Sequence, residues 1–434
     1  DVLFADGKTF MAAGTVSVSP YFLFDRDGFY SFKKEEGWRK FNRDNQPIIS
    51  NQGIDFDFWR MAWNKDTKHL WVGSFYGGLV EFDPATGSVL QGFTKNNSVL
   101  QGASGDENRT QIGGLAYDSK GNLWISNYKT PKPVVVLKKD GTWARFSAPV
   151  GNGETFHLAI DKNDFKWFAA GTSGGIFVLD SGADIDDPSD DESRTISSAN
   201  SVLPSNRVNC FALDLDGDMW VGTDKGMVGF QCGSNILSSD CRGTWPIVNI
   251  DGFLANLLKD NDIRCIAIDG ANRKWVGTTN GFFVFSPDCT ETVAHFTAEN
   301  SPLFDNIITT IEINGDNGDA WIGTEKGLIT LRSDATVGTL ANLPGSYAFP
   351  NPVLPDYDGP IAIHGLARDA NIKIIDVNGQ LVYEGKSLGG QAVWNARDYL
   401  GRRVASGVYL VLATGTAVFD TPEASVVAKI VVVN

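Results

Sequence analysis

Asn209-Cys-Phe-Ala-Leu-Asp-Leu-Asp-Gly-Asp-Met-Trp-Val-Gly-Thr-Asp-Lys-Gly-Met-Val-Gly-Phe230 contains one complete copy of the pattern that decides the fold. A first apolar strand ends in Asp214, an Asp-Gly turn follows, and a second strand opens on Trp220. A Lys-Gly turn then leads to a third strand. Turns of this composition suit hairpins, because Gly and Asn accept positive φ without steric cost. The same tetrapeptide type recurs as Trp71-Val-Gly-Ser, Trp124-Ile-Ser-Asn, Trp167-Phe-Ala-Ala, Trp275-Val-Gly-Thr and Trp321-Ile-Gly-Thr, with 53, 43, 53, 55 and 46 residues between successive tryptophans. That period indicates repeated four-stranded units.

The first strand of each repeat chooses among architectures. Met61-Ala-Trp-Asn64, Leu115-Ala-Tyr-Asp118, Leu158-Ala-Ile-Asp161, Phe211-Ala-Leu-Asp214, Ile266-Ala-Ile-Asp269 and Ile311-Glu-Ile-Asn314 align. Bulky residues take one face and alanine, in five of the six, takes the other. A sheet with one wet face would carry polar groups at those alanines. Large against small fits a sheet packed on both faces, as in the blades of a β-propeller whose inner strands line an axis. Counting back from Trp71 reaches a degenerate first blade at Tyr21-Phe-Leu-Phe-Asp25, Phe29-Tyr-Ser-Phe32 and Trp38-Arg-Lys-Phe41. Seven blades are expected. The last repeat shows three strands, and Val2-Leu-Phe-Ala5 is the expected donor of the edge that closes the ring.

The Trp-Gly pattern stops after Ser333. Leu343-Pro-Gly-Ser-Tyr-Ala-Phe-Pro-Asn-Pro352 reads as a linker, since each Pro biases its predecessor away from helix. Short strands follow at Ile361–Ile363, Ile372–Ile375, Leu381–Tyr383, Ala392–Trp394, Val408–Leu412 and Val426–Val433. The expected fold is therefore all-β: a seven-bladed propeller over residues 1–342, then a small antiparallel Ig-like β-sandwich over 343–434.

Composition excludes several classes of function. The 434 residues carry a net charge of −15, and the 37 Lys and Arg form no dense run, which argues against nucleic acid. There is no apolar stretch long enough for a membrane-spanning helix. The chain begins at Asp1 without a charged and then apolar leader, and reads as a mature or truncated form. Five cysteines without a CxxC pair and only four histidines argue against zinc. Cys232 and Cys241 flank a short polar loop that a disulfide could close; the alternative is two free thiols in a reducing compartment. No phosphate loop, dinucleotide fingerprint or catalytic triad has the strand–turn–helix context it needs, and no cofactor is implied.

Candidate site residues are few. His157 precedes an inner-strand triplet and so lies near the axis, where a base could act. The same column holds Arg60, Gly114, Cys210, Cys265 and Thr310, and a structural histidine is the blander reading. Asp184-Ile-Asp-Asp-Pro-Ser-Asp-Asp-Glu192 could offer Asp184, Asp186 and Asp187 to calcium, but the ligand order is not that of a calcium loop and a solvated loop competes. Lys139-Asp-Gly-Thr-Trp143 superficially resembles an Asp-box, without the preceding Ser. Arg402 and Arg403 could meet an anionic sugar bidentately, or simply solubilise a hairpin.

Two stretches resemble known families. Asp216-Gly-Asp-Met-Trp-Val-Gly-Thr-Asp-Lys-Gly226 resembles the two-component-regulator propeller repeat. Phe349-Pro-Asn-Pro352, Ile375-Asp-Val-Asn-Gly-Gln-Leu-Val382, Trp394-Asn-Ala-Arg-Asp398, Gly401, Ala405-Ser-Gly-Val-Tyr409 and Lys429-Ile-Val-Val-Val433 together resemble the C-terminal sorting domain of the Bacteroidetes type IX secretion system. The pairing is similar to the PorZ-like accessory components of the type IX attachment machinery, which usually carry two propellers where one is present here. That resemblance implies a non-enzymatic, exported protein, from the periplasm to the outer-membrane surface, that works beside a sortase and binds anionic lipopolysaccharide. The alternative is an exported carbohydrate sensor or polysaccharide-degrading propeller for which the tail is only an export signal.

Overall fold

The computed structural model describes residues 1–14, 23–171, 173–250, 253–414 and 425–434. Seven antiparallel sheets surround an axis, and each inner strand touches the inner strands on either side, the last returning to the first. Proceeding round the ring, the inner strands are Val2–Ala5, Phe58–Trp63, Ile112–Tyr117, Thr155–Ile160, Val208–Leu213, Ile263–Ile268 and Ile308–Ile313. The fold is a seven-bladed β-propeller, with a short α-helix, Pro47–Gln52, between the first two blades.

The inner-strand alanines have a specific partner. Ala62, Ala116, Ala159, Ala212 and Ala267 stand directly across the ladder from Trp71, Trp124, Trp167, Trp220 and Trp275. Paired residues project to the same side of a sheet, so each methyl leaves room for an indole. All six repeat tryptophans are buried. Where the triplet ends in Asp, the indole N–H donates to that carboxylate: Trp124 to Asp118, Trp167 to Asp161, Trp220 to Asp214 and Trp275 to Asp269, at 2.9–3.0 Å. In the second blade Asn64 stands in place of Asp, and the buried Trp71 Nε1 is left without a partner.

Two expectations at the seam are corrected. Val2–Ala5 is the inner strand of the first blade, pairing with Lys8–Ala12, and does not complete the seventh. The geometry leaves no need for a strand at Leu23–Asp25, which is not in one; Tyr21 and Phe22 lie outside the described residues. The seventh blade has three strands among the described residues. Side chains hold the seam there instead: Trp321 of the last blade packs against Phe4, Phe32 and Trp38 of the first.

In the fifth blade Cys232 and Cys241 are joined by a disulfide with Cα atoms 5.9 Å apart. The loop they close returns Thr244 to pair with Gly229, at the place where other blades have their outer strand.

The chain leaves the last blade at Arg332 and forms a second, separate core. Tyr347–Phe349, Ile361–His364 and Gln391–Trp394 make one sheet; Leu381–Lys386, Asn371–Ile375, Gly407–Thr414 and Ser425–Val432 make the other. Trp394 and Tyr409 fill the space between them. The stretch read as a linker thus supplies a strand, because Ala348 points into this core and its neighbours pair with Ile361–His364.

Candidate binding site

The inner strands run from one face of the ring to the other and end in the Asp or Asn turns. The sandwich sits on that turn face. Thr336 pairs with Gly389, Gly390 N–H donates to Thr336 O at 2.7 Å, and Arg368 reaches Asp216 in the fifth blade at 2.8 Å. The opposite face is the mouth of an axial cavity of about 1290 Å³.

An irregularity repeated in the inner strands shapes this cavity. The ladder skips one residue in each of six blades, at Trp59, Gly113, His157, Asn209, Arg264 and Thr309. A β-bulge turns its extra residue out of the alternating pattern. Here it brings Trp59, His157, Asn209, Arg264 and Thr309 to the cavity lining, where the same lining holds Arg60, Cys210, Cys265, Thr310 and Glu312.

Arg60 and His157, from blades two and four, meet in this cavity. An Arg60 guanidinium nitrogen lies 2.7 Å from His157 Nδ1, and the guanidinium stacks 4.0 Å from the Trp59 ring. Trp59 is itself fixed by donating from its indole N–H to Ile112 O at 2.6 Å. Burial, and then the Arg60 charge, hold the His157 pKa well below the ordinary histidine range. The ring is therefore neutral, and Nδ1 accepts from Arg60, which places the ring proton on Nε2. Burial also lowers Arg60 to about 10, so it stays charged at neutral pH. Among the described residues Arg60 has no ion pair. In the seventh blade, burial pushes Glu312 up to about 7. Asp262 accepts from Asn209 at 2.8 Å and lies 2.9 Å from Arg264 Nε, an ion pair without an aligned hydrogen bond. Burial raises both Cys210 and Cys265 above the usual thiol value, Cys265 to about 12, so neither is a ready thiolate.

The remaining candidates stand apart from this cavity and from one another. Asp186 pairs with Lys138 at 2.6 Å, while Asp184 and Asp187 accept backbone N–H groups of their own loop. Among the described residues no three His, Cys, Asp or Glu side chains are grouped to hold a metal. Arg402 is bound back to Asp398 in its own turn. Arg403 clamps a neighbouring loop through Leu354 O, Tyr357 O and Asp358. The sequence places His157 and Arg60 in one axial column, but their contact and the acid Glu312 are not read from it. The available signal was polarity in strands otherwise apolar, with Glu312 standing where five repeats have alanine.

Comparison with known proteins bears on the whole chain. The family model of the two component regulator propeller matches residues 202–225. No curated protein sequence matches the chain. Among solved structures, one that covers all of this chain at 28% identity, with a TM-score of 0.73, is PorZ, an essential bacterial surface component of the type-IX secretion system of Porphyromonas gingivalis. This chain is PorZ-like. It spans 59% of the length of PorZ. The extracellular domain of a hybrid two component system from B. thetaiotaomicron (TM-score 0.52, 13% identity, 100% of this chain and 56% of that one) shares the fold. So does a catalytically inactive virginiamycin B lyase from Staphylococcus aureus (0.53, 10%, 76% and 92%). Among the described residues no helix is long and apolar enough to cross a membrane.

Proposed function

We propose that this PorZ-like chain is a non-enzymatic, surface-exposed component of the type IX secretion attachment machinery. In this reading the propeller is a rigid platform, and the sandwich is a retained sorting-type domain that engages the machinery, with a sortase as its working partner. Anionic lipopolysaccharide or a partner protein is what it presents. One observation carries the reading: the likeness to PorZ runs through propeller and sandwich together over the whole chain. The axial geometry agrees with binding rather than bond-making. His157 Nδ1 is occupied by Arg60, and both axial thiols are held protonated.

Deletion of the gene in its native host tests this. Cargo proteins bearing type IX sorting tails should accumulate in the periplasm, and complementation with the full gene should release them. Normal cargo attachment in the deletion strain would refute the assignment.

A further inference from the structure

The axial cavity has charge it does not neutralise itself. Arg60 presents a fixed guanidinium to the cavity, oriented by the Trp59 face behind it and by His157 beside it. A guanidinium set by a stacked, buried framework is a preorganised anion site, and its fork matches a carboxylate bidentately.

The rest of the lining limits which anion fits. Among the described residues it carries three arginines, Arg60, Arg207 and Arg264, against five acids, Asp1, Asp27, Asp262, Glu312 and Glu325. Arg264 faces Asp262 and Asp27 is bonded to Lys40, so an incoming anion meets the carboxyl groups of Asp1, Glu312 and Glu325. A polyanion or a phosphate dianion would meet net repulsion from these carboxylates, whereas one negative charge delivered to Arg60 would not. Beyond Arg60 the lining alternates neutral hydrogen-bonding groups, Asn209, Thr309 and Thr310, with apolar ones such as Phe156 and Ile266. Such walls suit a body with hydroxyl groups and apolar faces.

We propose that the axial cavity binds a ligand carrying a single carboxylate on an uncharged, hydroxyl-bearing body, a hexuronic acid being the simplest case, with Arg60 holding the carboxylate. Glu312 lines the same cavity and disfavours a second negative charge. The site does not depend on the secretion role. Binding in a protein whose loss leaves cargo attachment unchanged would keep this inference and discard that one.

Calorimetric titration of the whole chain with sodium glucuronate, methyl glucoside and inorganic phosphate tests it. Glucuronate should bind, while the neutral glucoside and phosphate should not. Arg60→Gln should weaken glucuronate by about tenfold or more, the loss expected of one charged hydrogen-bonding pair. Arg60→Lys, which keeps the charge but not the fork, should fall between. Because Arg60→Gln could fail to fold, the ring signals of isotopically labelled histidine give an independent reading. Of the four histidines, His157 alone should shift with glucuronate. The inference is overturned by no heat and no His157 shift, by undiminished binding in a folded Arg60→Gln protein, or by phosphate binding as well as glucuronate.

Discussion

Lys274 Nζ lies 3.0 Å from Oδ2 of Asp214 in the preceding blade, and both side chains are buried. The same oxygen accepts from Trp220 Nε1, and Lys274 also donates to Asn272 O and Pro287 O while sitting 5.0 Å from the Trp220 ring. The pair therefore joins two blades at the base of the repeat. Burial opposes the Asp214 charge, but the Asp218 N–H, Trp220 and Lys274 outweigh it and lower its pKa.

Removing one member of such a pair leaves a buried charge uncompensated, which costs about 3–5 kcal/mol. Lys274→Ala should lower unfolding stability by about that amount in denaturant titration. Lys274→Met, which keeps the stem over Trp220, should cost less. The sign of the pH effect follows from the lowered Asp214 pKa: the contribution is present above the unfolded value and lost as pH falls through the folded one. The Lys274→Ala protein should accordingly lose less stability on acidification than its parent. A loss below about 1 kcal/mol at neutral pH would show the pair to be inert.

The second blade lacks the carboxylate that its neighbours use. Asn64 Oδ1 accepts the Asp66 and Thr67 N–H groups, as the corresponding Asp oxygens do elsewhere, but its Nδ2 donates to Tyr117 Oη and cannot accept from Trp71. Asn64→Asp should give Trp71 Nε1 an acceptor while Tyr117 turns its hydroxyl to donate. A net hydrogen bond is worth about 1 kcal/mol. Thermal unfolding should move up accordingly. An unchanged or lower Tm would mean that the new charge costs more than the bond returns.

The repeat was legible because its signal is periodic: Trp, the small residue two places on and the turn Asp recur with local hydrogen-bonding and packing reasons. The seam was not, since Val2–Ala5 and Trp321 are joined only by closure of the ring, which no local pattern encodes. Tyr347–Phe349 was hidden by the flanking prolines, which mark turns whether or not a strand lies between them. At the site, His157 was visible as the histidine of its column, which also holds Arg60. Its contact with Arg60 spans two blades and depends on bulges at Trp59 and His157, which alter side-chain direction without altering composition.

Docking of the sandwich rests on backbone approach more than on charge. A Cβ on Gly389, whose φ is +62°, would lie 1.9 Å from Thr336 O and 2.3 Å from Gly270 O. No side chain can be accommodated there without moving the two domains apart. Gly389→Ala should therefore loosen the sandwich from the propeller, raising the radius of gyration in solution scattering and exposing residues 333–346 to protease. Arg368→Ala should do little, because its ion pair with Asp216 is partly exposed and worth less than about 1 kcal/mol. Equal scattering curves for Gly389→Ala and the parent would place the hold elsewhere.

Glu312 sets a pH dependence opposite in sign to that of Asp214. Burial raises its pKa from 4.5 to about 7 in the folded state. The folded protein then keeps a proton that the unfolded chain releases, so this group's contribution is full below the unfolded value and is lost as pH rises through the folded one. Allowing for the water its cavity admits, the effect between those limits is on the order of 2 kcal/mol. Glu312→Gln, which is neutral throughout, should flatten the stability profile across that interval and raise stability at neutral pH, where the parent must ionise a carboxyl poorly served by solvent. Urea titrations at several pH values would show it. Parallel profiles for the two proteins would mean that Glu312 ionises freely in the cavity and exerts no such effect.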